Sequence, residues 1–192
     1  MRSGAWVGHM AEPGFDEVFA LVLSARQREP APSLPARLKS LFHELALAAP
    51  PRPADDIEEL IWALWSAHPD ATASHDMGVA AEAMAGGRAG IAAPLLDRMV
   101  LEHPDWAEAW NKRATLAFIQ RRDMDALVAI SRTLSLEPRH FGAMAGFGQI
   151  CLRHGRKQEA RAAFQVALAV NPHLQGLAEV IADLGREVGR GN

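Results

Sequence analysis

The sequence predicts an all-α superhelix of antiparallel helix pairs, and three observations carry that expectation. Pro69, Pro104, Pro138 and Pro172 follow one another at intervals of 35, 34 and 34 residues, each just after an apolar helical pattern. A proline ends the helix there because it lacks the N–H and clashes with the preceding turn. A second break falls midway in every interval, at Gly86-Gly87, Arg121-Arg122-Asp123 and Gly155-Arg156, so each unit holds two helices of about 14 residues joined by a tight turn. Small residues also recur in register. Counting Ala73, Ala107 and Phe141 as first in their units, the eighth residues are Ala80, Ala114 and Gly148 and the twentieth are Ala92, Ala126 and Ala160. These are the expected points of close backbone approach. Leu96, Ile130 and Phe164, then Val100, Leu134 and Leu168, lie four and eight residues beyond the second set, on the same helical face.

Taken in order, residues 1–32 form an N-terminal segment whose one amphipathic helix, over 15–28, is set off by Glu29-Pro30-Ala31-Pro32. It either caps the stack or swings free. Residues 33–72 read as a degenerate helix pair, near 34–48 and 55–67 around Pro50-Pro51-Arg52-Pro53-Ala54, with Ile57, Ile61, Leu64 and Trp65 on one face of the second helix. Residues 73–172 hold three repeats, in motif register 73–106, 107–140 and 141–174. Pro94 is expected near the first turn of its helix, where a missing N–H is tolerated. Residues 173–192 supply a capping helix and tail: Leu177, Ile181, Leu184 and Val188 make an apolar stripe, while Glu179, Asp183, Arg186 and Glu187 face away, as the end of a stacked array requires.

Composition narrows the function. With 192 residues, 49% apolar and 22% charged, the chain fits one globular domain. A net charge of −3 offers no broad positive field for a phosphate backbone, so nucleic acid is not an expected partner. No apolar run approaches the roughly 20 residues of a membrane span. The first residues lack an apolar export-signal core, and a cytoplasmic location is expected. The single cysteine, Cys151, cannot form an internal disulfide.

Catalytic patterns fail on their details. His43-Glu44 opens an HExxH whose second ligand position holds Leu47, which leaves the metal-binding helix face incomplete. Gly146-Phe147-Gly148 begins a GxGxxG that meets Cys151 at its third position, with no strand before it. Cys151 falls on a packing slot, and a buried thiol is a poor nucleophile. Trp62 and Trp65 share an apolar helix, and Trp106 and Trp110 share a face, so helical packing explains the aromatics better than a stacking platform. His68 and His103 stand at helix C-terminal ends, where a cation complements the dipole. The expectation is a non-enzyme with no metal and no cofactor.

The 34-residue unit, with Trp110, Ala114, Ala126, Ile130 and Pro138 in register, and Gly148, Gly155, Ala160, Phe164, Ala167 and Pro172 one unit later, resembles the tetratricopeptide repeat (TPR) family. In the 73–106 unit Asp76 stands where an aromatic is usual. A narrower likeness, in WNKRAT at 110–115 and EPRHFGA at 137–143, is to a group of small bacterial repeat proteins without a settled role. Some of those carry export signals, which this sequence does not show.

The resemblance implies a solenoid whose concave wall is lined by the first helix of each pair. Family geometry puts Met77, Ala81 and Met84, then Asn111, Thr115 and Phe118, then Ala145, Gln149 and Leu152 on that wall, with Arg153 beside the last. Such a surface is apolar with amides, suited to a protein or peptide segment bearing apolar anchors. Arg113 departs from the pattern, standing where a leucine is usual. It calls for a partner such as Glu137, Asp125 or a helix-end carbonyl, or else for an anionic ligand. A protein-binding scaffold is therefore the leading expectation. The alternative is a homo-oligomer assembled through the apolar N-terminal helices, Phe15–Leu23 above all.

Overall fold

The structure, a computed structural model, describes residues 13–47 and 49–190, and among these it contains ten α-helices and no strand. The first three are α1 (Phe15–Leu23), α2 (Arg37–Leu45) and α3 (Ala54–Ser66). The repeats supply α4 (Ala71–Ala85), α5 (Ala89–Glu102), α6 (Ala107–Ile119), α7 (Asp123–Leu136), α8 (Phe141–Arg153) and α9 (Lys157–Val170). Last comes α10 (Leu177–Arg190). The packed pairs are α4 with α5, α6 with α7 and α8 with α9, and α10 lies on α9.

Within a pair the turn is the same each time. The amide of Gly87 donates to Met84 O and that of Arg88 to Ala83 O; Arg121 and Arg122 repeat this to Phe118 and Ala117, and Gly155 and Arg156 to Leu152 and Cys151. This doubly bonded helix end needs one residue in the left-handed region. Gly87 (φ 68°), Arg121 (φ 61°) and Gly155 (φ 72°) take it, each 34 residues from the next. Arg121 does so with a side chain, which is strained.

Close approach within a pair falls where the small residues predict it. Ala80, Ala92, Ala126 and Ala160 are fully buried and Ala114 nearly so. At Gly148 a Cβ would stand 2.4 Å from the Phe164 ring, so the glycine is a steric requirement of the α8–α9 contact. Pro94 sits in the second turn of α5 rather than the first; the carbonyl it leaves without a donor belongs to Gly90, on the exposed side of the helix.

The N-terminal helices wrap around the later repeats. Helix α1 packs on α7, α8 and α9, with Val18 and Val22 fully buried and Phe15 and Phe19 against Phe147, ring centres 6.4 and 6.2 Å apart. Asp16 pairs with Arg156 at the start of α9. At the other end Arg28 donates to Leu134 O (2.9 Å) and the Ala31 amide to Leu136 O (2.7 Å). These carbonyls close α7 and have no partner within their own helix. The α2–α3 pair then continues across the ends of the repeats: His173 Nε2 lies 3.2 Å from Leu45 O, and Asn171 Nδ2 donates to Glu58 (2.8 Å). Thus α3 lies on α6 and on the start of α8 rather than along α4. At the opposite terminus Leu184 of α10 is buried and Lys157 pairs with Glu187.

Two changes test this packing. Gly148→Ala forces the Phe164 ring to shift and is expected to cost about 1–3 kcal/mol, read as a fall of several degrees in the thermal midpoint followed by circular dichroism. Arg121→Gly should act oppositely. Relief of left-handed strain, about 1–2 kcal/mol, exceeds the extra unfolded-state entropy of glycine, about 0.5–1 kcal/mol, so a net gain of about 0.5–1 kcal/mol is expected in urea melts.

Candidate functional site

The first helices of the three pairs, α4, α6 and α8, stand side by side, and one stripe of their side chains makes a wall. On α8 the stripe runs through Gly142, Ala145, Gln149 and Leu152; on α6 it runs through Glu108, Asn111, Thr115 and Phe118, residues three or four apart in each case. The wall divides into a covered and an open half.

Helix α3 covers the half nearest the helix starts. The Trp62 ring sits on Gly142, where a Cβ would come within 2.7 Å of it, and Lys112 Nζ stands 5.7 Å from the centre of the same indole. Beneath, Trp65 stacks on the His140 imidazole, ring centres 4.0 Å apart, and Trp106 Nε1 donates to Trp65 O (2.8 Å). His140 begins α8: its Nδ1 accepts from the Ala143 amide, which leaves Nε2 to donate to Glu108 Oε2 (2.9 Å). Asn111 Nδ2 donates to the same oxygen (3.0 Å). Lys112 Nζ is 3.1 Å from Oε1, an ionic contact that lies off the hydrogen-bonding direction.

Glu108 and His140 are fully buried. Burial acts to raise the carboxyl pKa, but the bond from His140 and the Lys112 ammonium outweigh it, holding Glu108 below the ordinary 4.5. Sealed beneath two indoles, the pair has no contact with solvent. The Cys151 thiol is likewise enclosed, and burial first, then Glu159, pushes it up to about 12.

The other half of the wall is open. Thr115, Ile119 and Gln149 are exposed, and Phe118 and Leu152 are half-buried. The Arg153 guanidinium lies 3.7 Å over the Phe118 ring, donates to Phe118 O and pairs with Asp123, which also receives His154 Nε2 (2.8 Å). These contacts hold Phe118 and Arg153 in one orientation.

The residues singled out from the sequence therefore separate. Thr115, Phe118, Gln149, Leu152 and Arg153 share the open half, while Ala81 and Met84 are half-buried on α4, Met84 against the α4–α5 core. Met77 is buried in the α4–α5 core, and Asn111 is buried against Glu108; neither faces open space. Arg113 pairs across α5 and α6 with Asp97 (Nε–Oδ1 2.8 Å), not with Glu137 or Asp125, which hold Arg139 and Arg122. The recess beside it, about 20 Å³, has room for about one water molecule. Sequence reasoning missed Glu108 and His140. The available signals were a carboxylate between two alanines in the first turn of α6 and a histidine one period after Trp106.

Because the carboxyl of Glu108 is held below its unfolded value, its contribution to stability is complete above about pH 4.5 and is lost as the pH falls through its folded pKa. Glu108→Gln is expected to unfold more readily at neutral pH and to narrow its deficit against the native chain as pH drops. Urea melts across pH 3 to 7, roughly the carboxylate range, check both.

Among the described residues no three His, Cys, Asp or Glu side chains form a metal-binding group, and no helix is long and apolar enough to cross a membrane. A family model described as tetratricopeptide repeat matches residues 124–173, spanning α7 to the turn after α9. A TPR repeat-containing protein of Rhizobium etli is 34% identical over 146 residues, 76% of this chain and 72% of that protein. With its 34-residue period, paired helices and this relative, the chain belongs to the tetratricopeptide-repeat family.

Proposed function

We propose that this chain is a non-catalytic protein-interaction module that seats a short apolar or amphipathic segment of a partner on the open half of the α4–α6–α8 wall. Repeats of this family generally mediate protein–protein contacts, and the particular reading rests on one observation. The first half of the wall already carries a helix, α3, while the second half presents Thr115, Ile119 and Gln149 exposed, with Phe118 and Leu152 half-buried among them. An apolar segment placed there would continue the burial that Trp62 begins. The open stretch spans about one helical turn on each of α6 and α8, so the expected ligand is short. Thr115 and Gln149 give it polar registration.

The alternative, self-assembly through the N-terminal helices, has no comparable support. It needs the apolar face of α1 exposed, and Val18 and Val22 are buried within the same chain.

The test is a peptide selected on the native protein from a display library, then titrated by calorimetry against native and variant chains. Thr115→Glu with Gln149→Glu places two carboxylates on the open surface without touching the covered half. We expect an unchanged melting midpoint and an affinity at least about tenfold lower, since desolvating an unpaired carboxylate costs several kcal/mol. Undiminished binding by the folded double variant refutes the wall as the binding surface.

A further inference from the structure

The N-terminal wrap creates a second concavity, on a different part of the molecule from the wall. Between the α1–α2 connection, α2, the α7–α8 turn and the end of α9 lies an open groove of about 510 Å³, within the usual size of a ligand cleft, about 300–1,000 Å³. Leu34, Phe42 and Val170 give it an apolar floor. Its rim carries Arg26, Arg28, Lys39 and Arg139 against the single carboxylate of Glu29.

Two of these cations are fixed. Arg139 is held bidentately, through Nε and Nη2, by Glu137 (2.8 and 2.7 Å) and lies 4.5 Å over the Phe42 ring, and Arg28 is tied to the carbonyls that end α7. Arg26 and Lys39 are exposed, with no carboxylate at ion-pair distance among the described residues. Even with Glu137 counted beside Glu29, the groove holds four cations to two carboxylates, on a chain whose net charge is −3. Lys39 and its neighbour Arg37 also stand in the first turn of α2, where the helix dipole disfavours cations. The local fold gains nothing from their charge.

We infer that this groove binds an acidic peptide segment of a partner protein, one apolar side chain resting on Leu34, Phe42 and Val170 while flanking carboxylates meet Arg26 and Lys39. A flat anionic membrane surface would meet the rim charges but not the recessed floor. Charge steers the segment in and the floor selects it, so binding depends on both. This reading is independent of the wall: Thr115→Glu with Gln149→Glu leaves it untouched.

The probe is a fluorescein-labelled peptide of sequence Asp-Glu-Asp-Leu-Pro-Glu-Asp-Glu, followed by anisotropy on the full chain. Its companion has serine in place of leucine. We expect the leucine peptide to bind, to weaken steeply when salt is raised to about 0.5 M, and to bind better than the serine peptide. Arg26→Glu with Lys39→Glu should lower its affinity at least about tenfold. Ala169→Trp, which fills the groove from an exposed position on α9 without changing charge, should do the same. Circular dichroism melts confirm that each variant is folded. Several results overturn the inference: no binding by the native chain, equal binding of the serine peptide, or full binding by either folded variant. So does capture of phosphatidylserine vesicles without capture of the peptide. A concentration-dependent dimer in light scattering, abolished by the Arg26 and Lys39 reversal, would give the groove to a second copy instead.

Discussion

Glu108 brings a carboxylate into a site without exposure, and its oxygens tie α6 to the start of α8. A buried charge of this kind costs several kcal/mol unless it is fully paired. Here His140, Asn111 and Lys112 supply the pairing from two different helices. Because His140 Nδ1 is committed to the Ala143 amide, the imidazole cannot rotate to satisfy Glu108 in another way. Its plane is therefore set, and with it the surface on which Trp65 stacks at an interplanar angle of 9°. The position of α3 follows from that plane. So does the extent of wall it covers, and the boundary between the covered and open halves is in this sense a consequence of one carboxylate and one N-terminal imidazole.

Helix α1 solves a different problem. Helices α7 and α9 leave a channel over Phe147, an aromatic that could not remain against water without losing the roughly 2 kcal/mol that its burial contributes. Phe15 and Phe19 close over it. The segment that follows then supplies donors to the last carbonyls of α7 through Arg28 and Ala31. In an array of stacked pairs each repeat contacts its neighbours alone. This chain adds contacts between residues more than 100 apart, such as Arg28 with Leu134 and Glu58 with Asn171, and the later repeats are tied to the N-terminal segment as one unit.

What was legible in the sequence, and what was not, divides along the same line. Period, turn and close approach are properties of one repeat against itself, so the prolines, the breaks near 87, 121 and 155, and the alanines at the eighth and twentieth places mark the paired helices and their contacts. The stripe of Ile57, Ile61, Leu64 and Trp65 showed that the second N-terminal helix has a face to bury; a stripe does not say against what. Its partners, Phe141 and His140, lie some 75 residues on, and nothing in a periodic pattern encodes that distance. Arg113 shows the same gap in miniature. Its need of a carboxylate was visible, but Asp97 reaches it from the preceding helix through packing rather than through any fixed spacing. Asn111 sat on the wall by family geometry, and only the burial of Glu108 draws it inward.

The two concavities are joined by one piece of structure. Helix α2 contributes Lys39 and Phe42 to the cationic groove and packs on α3, which in turn covers the first half of the wall. Phe42 makes the link tight: its ring lies under Arg139 on the groove side and against Trp65 and Phe141 on the other, with ring centres 5.8 and 6.4 Å apart. A displacement of α2 that opened or closed the groove would have to carry Phe42 with it. Trp65 could not follow without leaving the His140 plane, and His140 cannot leave without stranding Glu108. The packed aromatics thus resist independent movement of the two surfaces.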